Sequence, residues 1–315
     1  MTLTVDISPK PKVTILMAVR DGAAHLPVQL ASIAAQSHDN WQLICSDDGS
    51  IDTSKEVLYR FAAQHPGRVA MHDGPQQGFS ANFMSLIRQL PTDAGFVCFA
   101  DQDDYWHSEK LMRSLSLLQQ QNDAVALACG RRAYWYPERY RYRISAPVRR
   151  HCGLKNALAE NIATGNTIML SPDAARLARN AACRTGPVFA HDWWLYLLIT
   201  GCGGSVVFDN GPPHVMYRQH GRNAIGAGQG LRAQLQRKAG VLRGTFMARM
   251  QGNLDALQAI PEMLTPEASA TLRSFAAARK QGVFGRLAAL HRVGLYRQHW
   301  AGTLGFWGAA SLGRI

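Results

Sequence analysis

The chain has 315 residues, of which 47% are hydrophobic and 18% charged, and its 34 Lys+Arg against 22 Asp+Glu give a formal net charge of +12. This length and apolar fraction suit one large or two modest globular domains and exclude a wholly disordered, collagen-like or coiled-coil chain. The opening MTLTVDISPKPKV lacks the apolar run of a signal peptide, and no uncharged apolar stretch reaches the roughly 20 residues of a membrane-spanning helix. We therefore expect a cytoplasmic protein.

Strand and helix patterns alternate along the first 130 residues. The predicted strands are short apolar runs: Val13–Val19, Trp41–Cys45, Arg68–His72, Phe96–Ala100 and Val125–Cys129. The helical patterns between them are Ala23–Gln36, Thr53–Gln64, Ser80–Gln89 and Ser108–Gln120. Strands separated by helices in this way predict βαβ units and a mostly parallel, Rossmann-like sheet flanked by helices. The sequence thus indicates the α/β class.

The alternation ends after residue 130. The aromatic and basic run Ala133–Ile144 predicts a hairpin or a mobile loop. Shorter predicted elements follow, namely strand Thr167–Leu170, helix Pro172–Asn180, helix Asp192–Thr200, and strands Ser205–Asp209 and His214–Gln219. From Leu231 onward the pattern is helical, with breaks near Pro261, Pro266 and Gly282. We place a domain boundary at residue 229, before this helical extension.

The extension 230–315 is strongly basic, with 12 Lys+Arg and 3 Asp+Glu against 22 and 19 in residues 1–229. Basic helices that carry aromatic residues predict contact with an anionic membrane surface. The residues expected to face the lipid are basic or interfacial: Arg286, Arg292, Arg297, Trp300, Phe306 and Trp307. The alternative is that these helices pack on the first domain or join two copies of the chain. A nucleic-acid-binding protein would also be basic, but no helix-turn-helix, RRM, KH or zinc pattern is present.

Acidic residues directly follow three of the predicted strands. They are Asp21 after the first, Asp47 and Asp48 after the second, and Asp101, Asp103 and Asp104 after the fourth. The carboxyl ends of parallel strands meet at one edge of the sheet, where α/β proteins bind ligands. Crowded carboxylates repel each other unless a hard cation or a hydrogen-bonding ligand holds them. The spacing of Asp101 and Asp103 therefore predicts a Mg²⁺ or Mn²⁺ site beside a diphosphate.

Four segments, in this order, resemble the family-2 glycosyltransferases with the GT-A fold: VTILMAVRDGAAHLPVQLASIAAQS, SDDGSIDTS, GFSANF and FADQDDYWHSEKL. Two later segments, HDWW (191–194) and YRQH (217–220), look like those of bacterial rhamnosyltransferases that build cell-surface polysaccharide. The resemblance implies an inverting, metal-dependent transfer of L-rhamnose from dTDP-β-L-rhamnose to a hydroxyl of a lipid-linked or polysaccharide acceptor, as in O-antigen synthesis. A lipid-linked acceptor would give the expected contact of the basic extension with the inner face of the plasma membrane a purpose.

The resemblance implies roles for individual residues. Asp192 occupies the place of the catalytic base, and Asp103 and His220 those of metal ligands. The residues implied in nucleotide-sugar binding lie at the strand ends and nearby loops: Ala18, Arg20, Asp47, Asp48, Gly78, Asn82, Asp101, Gln102 and Arg218. Those implied in acceptor binding are Asp104, Trp106, Trp193 and Trp194. One departure is Val19-Arg20-Asp21, where the family usually has Thr-Tyr-Asn.

Simpler structural roles remain open for several of these residues. Asp192 also fits a helix N-cap, Gly78 and Asn82 fit a turn and the cap after it, and Trp193 and Trp194 fit a hydrophobic core. Two alternative activities keep the fold, transfer from a UDP-sugar and nucleotidyl transfer. The second requires a Gly-rich loop with a Lys after the first strand, which Arg20-Asp21-Gly22-Ala23 does not match.

Overall fold

The computed structural model of the chain describes residues 9–220 and 245–315. Its strands are β1 (Val13–Val19), β2 (Trp41–Asp47), β3 (Val69–Asp73), β4 (Phe96–Asp101), β5 (Tyr105–Trp106), β6 (Ala126–Gly130), β7 (Ala133–Tyr136), β8 (Arg141–Ile144), β9 (Met169–Leu170), β10 (Ser205–Asp209) and β11 (Val215–Arg218). Its helices are α1 (Leu26–Ala34), α2 (Ser54–Gln64), α3 (Phe79–Arg88), α4 (Lys110–Gln119), α5 (Leu154–Ala157), α6 (Pro172–Ala182), α7 (His191–Gly201), α8 (Thr245–Gln258), α9 (Pro266–Arg279), α10 (Val283–Val293) and α11 (Trp300–Ser311).

A seven-stranded sheet in the order β10-β6-β9-β4-β1-β2-β3 forms the centre of the molecule. Its pairs are parallel except where β9 runs antiparallel between β4 and β6. The predicted α/β class and mostly parallel sheet are confirmed. The predicted strand Thr167–Leu170 is shorter in the structure because residues 165–167 form a 3₁₀ turn, with the amide of Thr167 donating to Thr164.

A second, four-stranded sheet in the order β5-β11-β7-β8 lies beyond the end of β4. Strands β7 and β8 form an antiparallel hairpin across residues 133–144, so the hairpin is the correct one of the two predicted structures. Strand β11 pairs with β5, which directly follows the acidic loop after β4. This pairing carries Arg218 and the residues after it to the same edge as the loop carboxylates.

The central sheet is buried on both faces, as its continuous apolar strands require. Along β1, Ile15 and Met17 pack into one hydrophobic cluster, which also contains residues of α1, α2 and α4, whereas Leu16 packs into the other. The second cluster contains residues of α3, α6 and α7 and of the C-terminal helices, including Leu254 and Phe275. The C-terminal helices therefore share a core with the α/β part, and the boundary at residue 229 stays a prediction.

The C-terminal helices begin and end where the sequence predicts breaks. Pro261 opens a 3₁₀ turn, Thr265 caps α9 by accepting a hydrogen bond from the amide of Ala268, and Gly282 precedes α10. Polar contacts fix the chain between α10 and α11, since Arg297 pairs with Glu160 at 3.0 Å. Within the described ranges, no helix combines the length and the apolar character needed to cross a membrane.

Candidate active site

The loops after β1, β2 and β4 meet at one edge of the central sheet because these strands are parallel neighbours. The register sets Ala18 beside Ser46 on one side and beside Asp101 on the other. It also sets Val19 beside Asp47. The three acidic segments predicted from the sequence are thus adjacent in space.

Asp47 is the last residue of β2, and only one oxygen of its buried carboxylate has hydrogen-bond partners. One oxygen, Oδ1, accepts the backbone amides of Gly49 at 3.1 Å and Ser50 at 2.8 Å, and Lys55 lies 3.8 Å from it. The other oxygen, Oδ2, is buried and has no hydrogen-bond partner. Buried carboxylate oxygens are nearly always hydrogen-bonded, so an orphaned one at this edge indicates a place for a ligand's donor group.

Asp48 shapes the neighbouring loop. Its oxygens accept the backbone amides of Gln76 at 2.6 Å and Gly78 at 2.9 Å, and the Arg20 guanidinium lies 3.9 Å away. Gly78 has a φ of +89°, a conformation that glycine adopts without steric cost and that turns the chain into α3. Both oxygens of Asp48 are therefore engaged by the protein, which leaves less of this side chain for a ligand than the sequence predicts.

Asn82 contributes to the same wall from the first turn of α3. Its amide nitrogen donates to the carbonyl of Ser46 at 2.9 Å, while its Oδ1 atom is buried without a partner. A side chain at Gly74 would place its Cβ 2.9 Å from that oxygen and 2.8 Å from Asp48 Oδ1. Asn82 is thus a buried side chain that ties α3 to β2, and it does not cap the helix.

Gln102 joins the β4 loop to the β1 loop. Its side-chain oxygen accepts the amide of Arg20 at 2.8 Å, and its nitrogen donates to the Arg20 carbonyl at 2.9 Å. A Cβ at Gly22 would lie 2.4 Å from the Gln102 oxygen, so the glycine leaves room for this amide. Gln102 therefore positions Arg20, whose side chain is left exposed above Asp48.

The carboxylates of the acidic loop after β4 differ in burial, since Asp103 is half-buried and Asp104 is fully buried. Asp103 Oδ2 lies 2.6 Å from His220 Nε2, and the Asp103 carbonyl accepts from Arg218 Nε at 2.8 Å. Asp104 is fully buried and accepts from the amide of Arg218 at 3.1 Å and from Asn166 Nδ2 at 2.6 Å. The Asp104 side chain thus lies between β11 and the turn at residues 165–167, where both of its oxygens accept hydrogen bonds from the protein, and its acceptor contact stays a prediction.

Asp192 lies in the first turn of α7 and faces the same carboxylates. Its Oδ2 atom accepts the amide of Gly165 at 3.1 Å and its Oδ1 atom the amide of Trp193 at 2.6 Å. The N-cap of α7 is Ala190, so the alternative reading of Asp192 as the cap is not what the structure shows. The two amides fix the orientation of a half-buried carboxylate at the site.

Burial raises the pKa values of Asp101 and Asp192, and the charges of neighbouring carboxylates add to the rise at Asp101. Burial raises the pKa of Asp101 to about 7, with the charges of Asp103 and Asp192 adding to the rise. Burial also raises the pKa of Asp192, against the opposing effects of two backbone amides and the positive charge of Arg132. Three negative groups thus compete within one site, an arrangement that a cation or a cationic ligand would stabilise.

Arg132 is a site residue that the sequence reasoning missed. Its guanidinium donates to the hydroxyl of Thr164 and, at 3.0 Å, to that of Tyr134, and it lies 5.2 Å from the ring centroid of Tyr217. Its charge lowers the pKa of both Asp101 and Asp192. The available signal was the pair Arg131-Arg132 between β6 and the aromatic hairpin, but two basic residues in a turn do not by themselves indicate a site.

The three tryptophans predicted to contact an acceptor are part of the hydrophobic interior. Trp106 is 1% exposed with Lys110 Nζ 3.5 Å from its ring centroid, and Trp194 is fully buried. Trp193 donates from Nε1 to the carbonyl of Ala157 at 2.8 Å. Burial favours a packing role for Trp106 and Trp194, and the predicted acceptor contact of the three tryptophans stays a prediction.

No metal cluster is preformed in the parts of the chain that the structure describes, since no three His, Cys, Asp or Glu side chains there are arranged to hold an ion. Asp103 and His220 form a two-donor pair of one carboxylate and one imidazole. A second imidazole, His25, lies with its ring centroid 5.0 Å from that of His220. Desolvation and the charge of Arg218 lower the pKa of His25.

Comparison with known proteins finds glycosyltransferases among the relatives of this chain. The family model for glycosyl transferase family 2 matches residues 14–183, more than half of the chain. The dTDP-rhamnosyl transferase RfbG of Shigella flexneri is 25% identical over 228 residues, which cover 70% of this chain and 77% of that protein. An uncharacterized glycosyltransferase of Haemophilus influenzae is 30% identical over 111 residues, or 35% of this chain and 43% of that one.

Solved structures agree in fold. TarS residues 1–349 of S. aureus in complex with UDP-GlcNAc superimposes with a TM-score of 0.52 at 11% sequence identity, covering 95% of this chain and 90% of that one. The same TarS segment without the ligand gives a TM-score of 0.51 over 96% of this chain. At this identity the likeness concerns the fold alone, including the C-terminal helices.

Proposed function

The chain belongs to glycosyl transferase family 2, and from this membership we propose that it transfers a sugar from a nucleotide-sugar donor to an acceptor hydroxyl with inversion of configuration. The observation that carries the proposal is the meeting of Asp192, from α7, with the acidic loop after β4. The amide of Gly165 donates to Asp192 at 3.1 Å and the side chain of Asn166, the next residue, donates to Asp104 at 2.6 Å, so the turn at residues 165–167 holds Asp192 beside the acidic loop. One positioned base opposite a donor site is what a direct displacement needs.

The donor we propose is dTDP-β-L-rhamnose. It is supported by the 25% identity to a protein named as a dTDP-rhamnosyl transferase, over most of both chains. The orphaned Asp47 oxygen suits an N–H or O–H donor of the nucleotide, and the exposed Arg20 guanidinium suits a phosphate. We propose that Ala18 and Asp101, which are neighbours across β1 and β4, also contact the donor, together with Gly78 and Asn82 beside β2. A UDP-sugar is the alternative donor.

We propose Mg²⁺ or Mn²⁺ as the cofactor, held by Asp103 and His220. Two protein ligands fit such a cation, because these ions commonly take their remaining ligands from substrate phosphates and water. When bound, the ion supplies charge neutralisation for the departing nucleoside diphosphate. Arg218 positions this pair, since its Nε atom donates to the Asp103 carbonyl and its guanidinium lies 4.2 Å from the ring centroid of Trp135.

The proton of the acceptor hydroxyl moves to Asp192. The acceptor oxygen attacks the anomeric carbon as the bond from that carbon to the diphosphate oxygen breaks, and the bonding electron pair leaves with the diphosphate. Burial raises the pKa of Asp192, which makes its carboxylate a stronger proton acceptor than an exposed aspartate. Hydrogen bonds from Gly165 and Trp193 hold it in one orientation.

We further propose that the enzyme acts on a lipid-linked or polysaccharide acceptor of cell-surface glycan synthesis, with its basic C-terminal region at an anionic membrane surface on the cytoplasmic side. The charge of residues 230–315 supports this location. The predicted lipid-facing set needs correction, however. Phe306 is buried, while Arg286 and Arg297 donate to Ala310 and Glu160 within the protein.

The test is release of nucleoside diphosphate from a panel of dTDP-, UDP- and GDP-sugars, with Mg²⁺, with Mn²⁺ and with a chelator. We expect release from dTDP-rhamnose that the chelator abolishes. Release from another donor would replace the proposed sugar, and release that persists in the chelator would remove the metal. Absence of turnover with every donor, in the presence of lipid-linked acceptor extract, would contradict the proposed reaction.

A further inference from the structure

The outward face of α11 is apolar along its whole length. Trp300 is 70% exposed and Leu304, one turn further, is 61% exposed, while Phe306 on the opposite side is buried. The hydroxyl of Thr303 donates to the carbonyl of His299, the N-cap of α11, and that of Ser311 to the carbonyl of Gly308. A surface helix normally presents charged or polar side chains to water, so an apolar outward face indicates an interaction surface.

Two further apolar side chains extend this surface where α10 begins and α11 ends. Leu312, just beyond α11, is 59% exposed, and Phe284, in the first turn of α10, is 89% exposed. Arg286 holds the two ends together by donating from Nη1 to the carbonyl of Ala310 at 2.8 Å. We call Phe284, Trp300, Leu304 and Leu312 the α11 face.

The charged side chains of the segment that carries the α11 face have a single sign. Residues 280–315 contain five basic residues and no acidic one: Lys280, Arg286, Arg292, Arg297 and Arg314. Arg286 and Arg297 are engaged inside the protein, whereas Lys280, Arg292 and Arg314 have exposed side chains. A partner for this face must therefore be apolar at its centre and anionic at its rim.

A second copy of this chain does not meet that requirement. Docking two α11 faces would bring together two rims that each carry only positive charge, and like charges across an interface disfavour the contact. An anionic membrane meets it, because its headgroups are negative and the acyl region below them accepts Trp and Leu side chains. Trp is also the side chain that membrane interfaces favour.

We propose that the α11 face is the membrane-docking surface of the enzyme, with Trp300 and Leu304 in the interfacial region and Lys280, Arg292 and Arg314 at the phosphates. This rests on the membrane location proposed above and assigns it to particular side chains. Helix α11 lies parallel to the membrane plane in this arrangement. The helices behind it stay packed on the catalytic domain.

The test uses the full chain and vesicles of phosphatidylglycerol with phosphatidylcholine, against vesicles of phosphatidylcholine alone. The variant is Phe284→Ser with Trp300→Ser and Leu304→Ser, and the matched control is Tyr59→Ser, an exposed aromatic on α2 that is 62% exposed. We expect salt-sensitive binding to the anionic vesicles that weakens about tenfold or more in the triple variant. The control should bind as the unaltered protein does.

Replacing charges provides a second, independent arm. Lys280→Gln with Arg292→Gln and Arg314→Gln should reduce binding at low salt and remove most of its salt dependence. Arg60→Gln, an exposed arginine on α2, is the matched control. All variants should release nucleoside diphosphate from the donor at the unaltered rate when no membrane is present, since none of these residues lies at the active site.

Three results would overturn the assignment. Unchanged vesicle binding by the triple variant would move the docking surface elsewhere and leave the membrane location standing. Failure of the unaltered chain to bind anionic vesicles would remove both. A dimer that becomes a monomer in the triple variant would make the face an interface between copies. The donor assay reports separately on the proposed reaction.

Discussion

The donor-side loops after β1, β2 and β4 differ in construction from the catalytic side of the site, which consists of Asp192 and Arg132. In the loops, acidic and amide side chains mostly bond to backbone, as Asp48 does to Gln76 and Gly78. On the catalytic side, Asp192 and Arg132 come from segments that are sixty residues apart in the sequence and are brought together by tertiary packing. A sequence motif therefore indicates which residues form the donor site. Many of these residues hold the loops in place through hydrogen bonds to backbone, and only a few remain available to contact the ligand.

On the catalytic side the largest effect is expected from Asp192→Asn. The amide cannot take the acceptor's proton, so we expect sugar transfer to fall by about 10²–10⁴ with donor binding retained. The measurement is single-turnover transfer at saturating acceptor, together with donor titration. Near-normal turnover would show that Asp192 only orders the start of α7. Asp173→Asn, on the exposed start of α6, is the control.

On the donor side the largest effect is expected from Asp103→Ala. This change removes one proposed metal ligand and leaves His220 without its 2.6 Å contact. We expect the stabilisation by dTDP or UDP to lose its dependence on Mn²⁺, as followed by thermal unfolding. A variant whose melting temperature still rises with Mn²⁺ and nucleotide would remove Asp103 from the metal site.

Gly22→Ala tests whether the contact between the β1 and β4 loops is needed for donor binding. The new methyl would overlap the Gln102 amide, so we expect loss of its two hydrogen bonds to Arg20, about 1–3 kcal/mol, and a higher donor KM. Gly285→Ala is a matched control, because its Cβ would lie 2.7 Å from the Gln281 side-chain oxygen, away from the site. In a Gln102→Ala background, Gly22→Ala should cost little more.

His191→Phe tests the interior behind Asp192. Both ring nitrogens of His191 are buried without partners, its ring centroid lies 4.0 Å from that of Phe83, and burial lowers its pKa to about 3. The unfolded chain therefore takes up this proton below about pH 6.5 while the folded protein does not, and stability is lost as the pH falls towards 3.

Phenylalanine removes that titration. We consider the unfolding free energy of the His191→Phe variant minus that of the unaltered protein. Compared with its value at pH 7.5, this difference should increase by about 1.4 kcal/mol for each pH unit below about pH 6. The measurement is urea unfolding of both proteins across this range. A difference that does not change with pH would mean that His191 is protonated in the folded protein.

The smallest effect is expected from Trp193→Phe. The indole of Trp193 is largely buried and donates to the Ala157 carbonyl, so the change should lower stability by about 1 kcal/mol and leave acceptor KM unchanged. Acceptor kinetics and thermal unfolding measure the two effects. A large rise in acceptor KM would return Trp193 to the acceptor site.

Much of the donor side could be predicted because strand order and loop position follow from local patterns. Val13–Val19 and Ser205–Asp209 have the predicted bounds, and the residues of the acidic loop lie at the predicted sheet edge. Burial of Asp104 and Trp106 could not be predicted, because it depends on β11, which is distant in the sequence. For Trp194 the sequence left core packing open as one of two alternatives. Arg132 could not be found either, since its role arises from distant neighbours.

The short strand β9 also bears on how the chain can fold during synthesis. Met169 and Leu170 pair with β4 on one side and β6 on the other, although β6 is made some forty residues earlier. Until residue 170 has left the ribosome, β4 has no partner on that side and β6 cannot join the sheet. The donor half therefore emerges with an open sheet edge, the kind of surface that chaperones cover and that aggregates when left exposed.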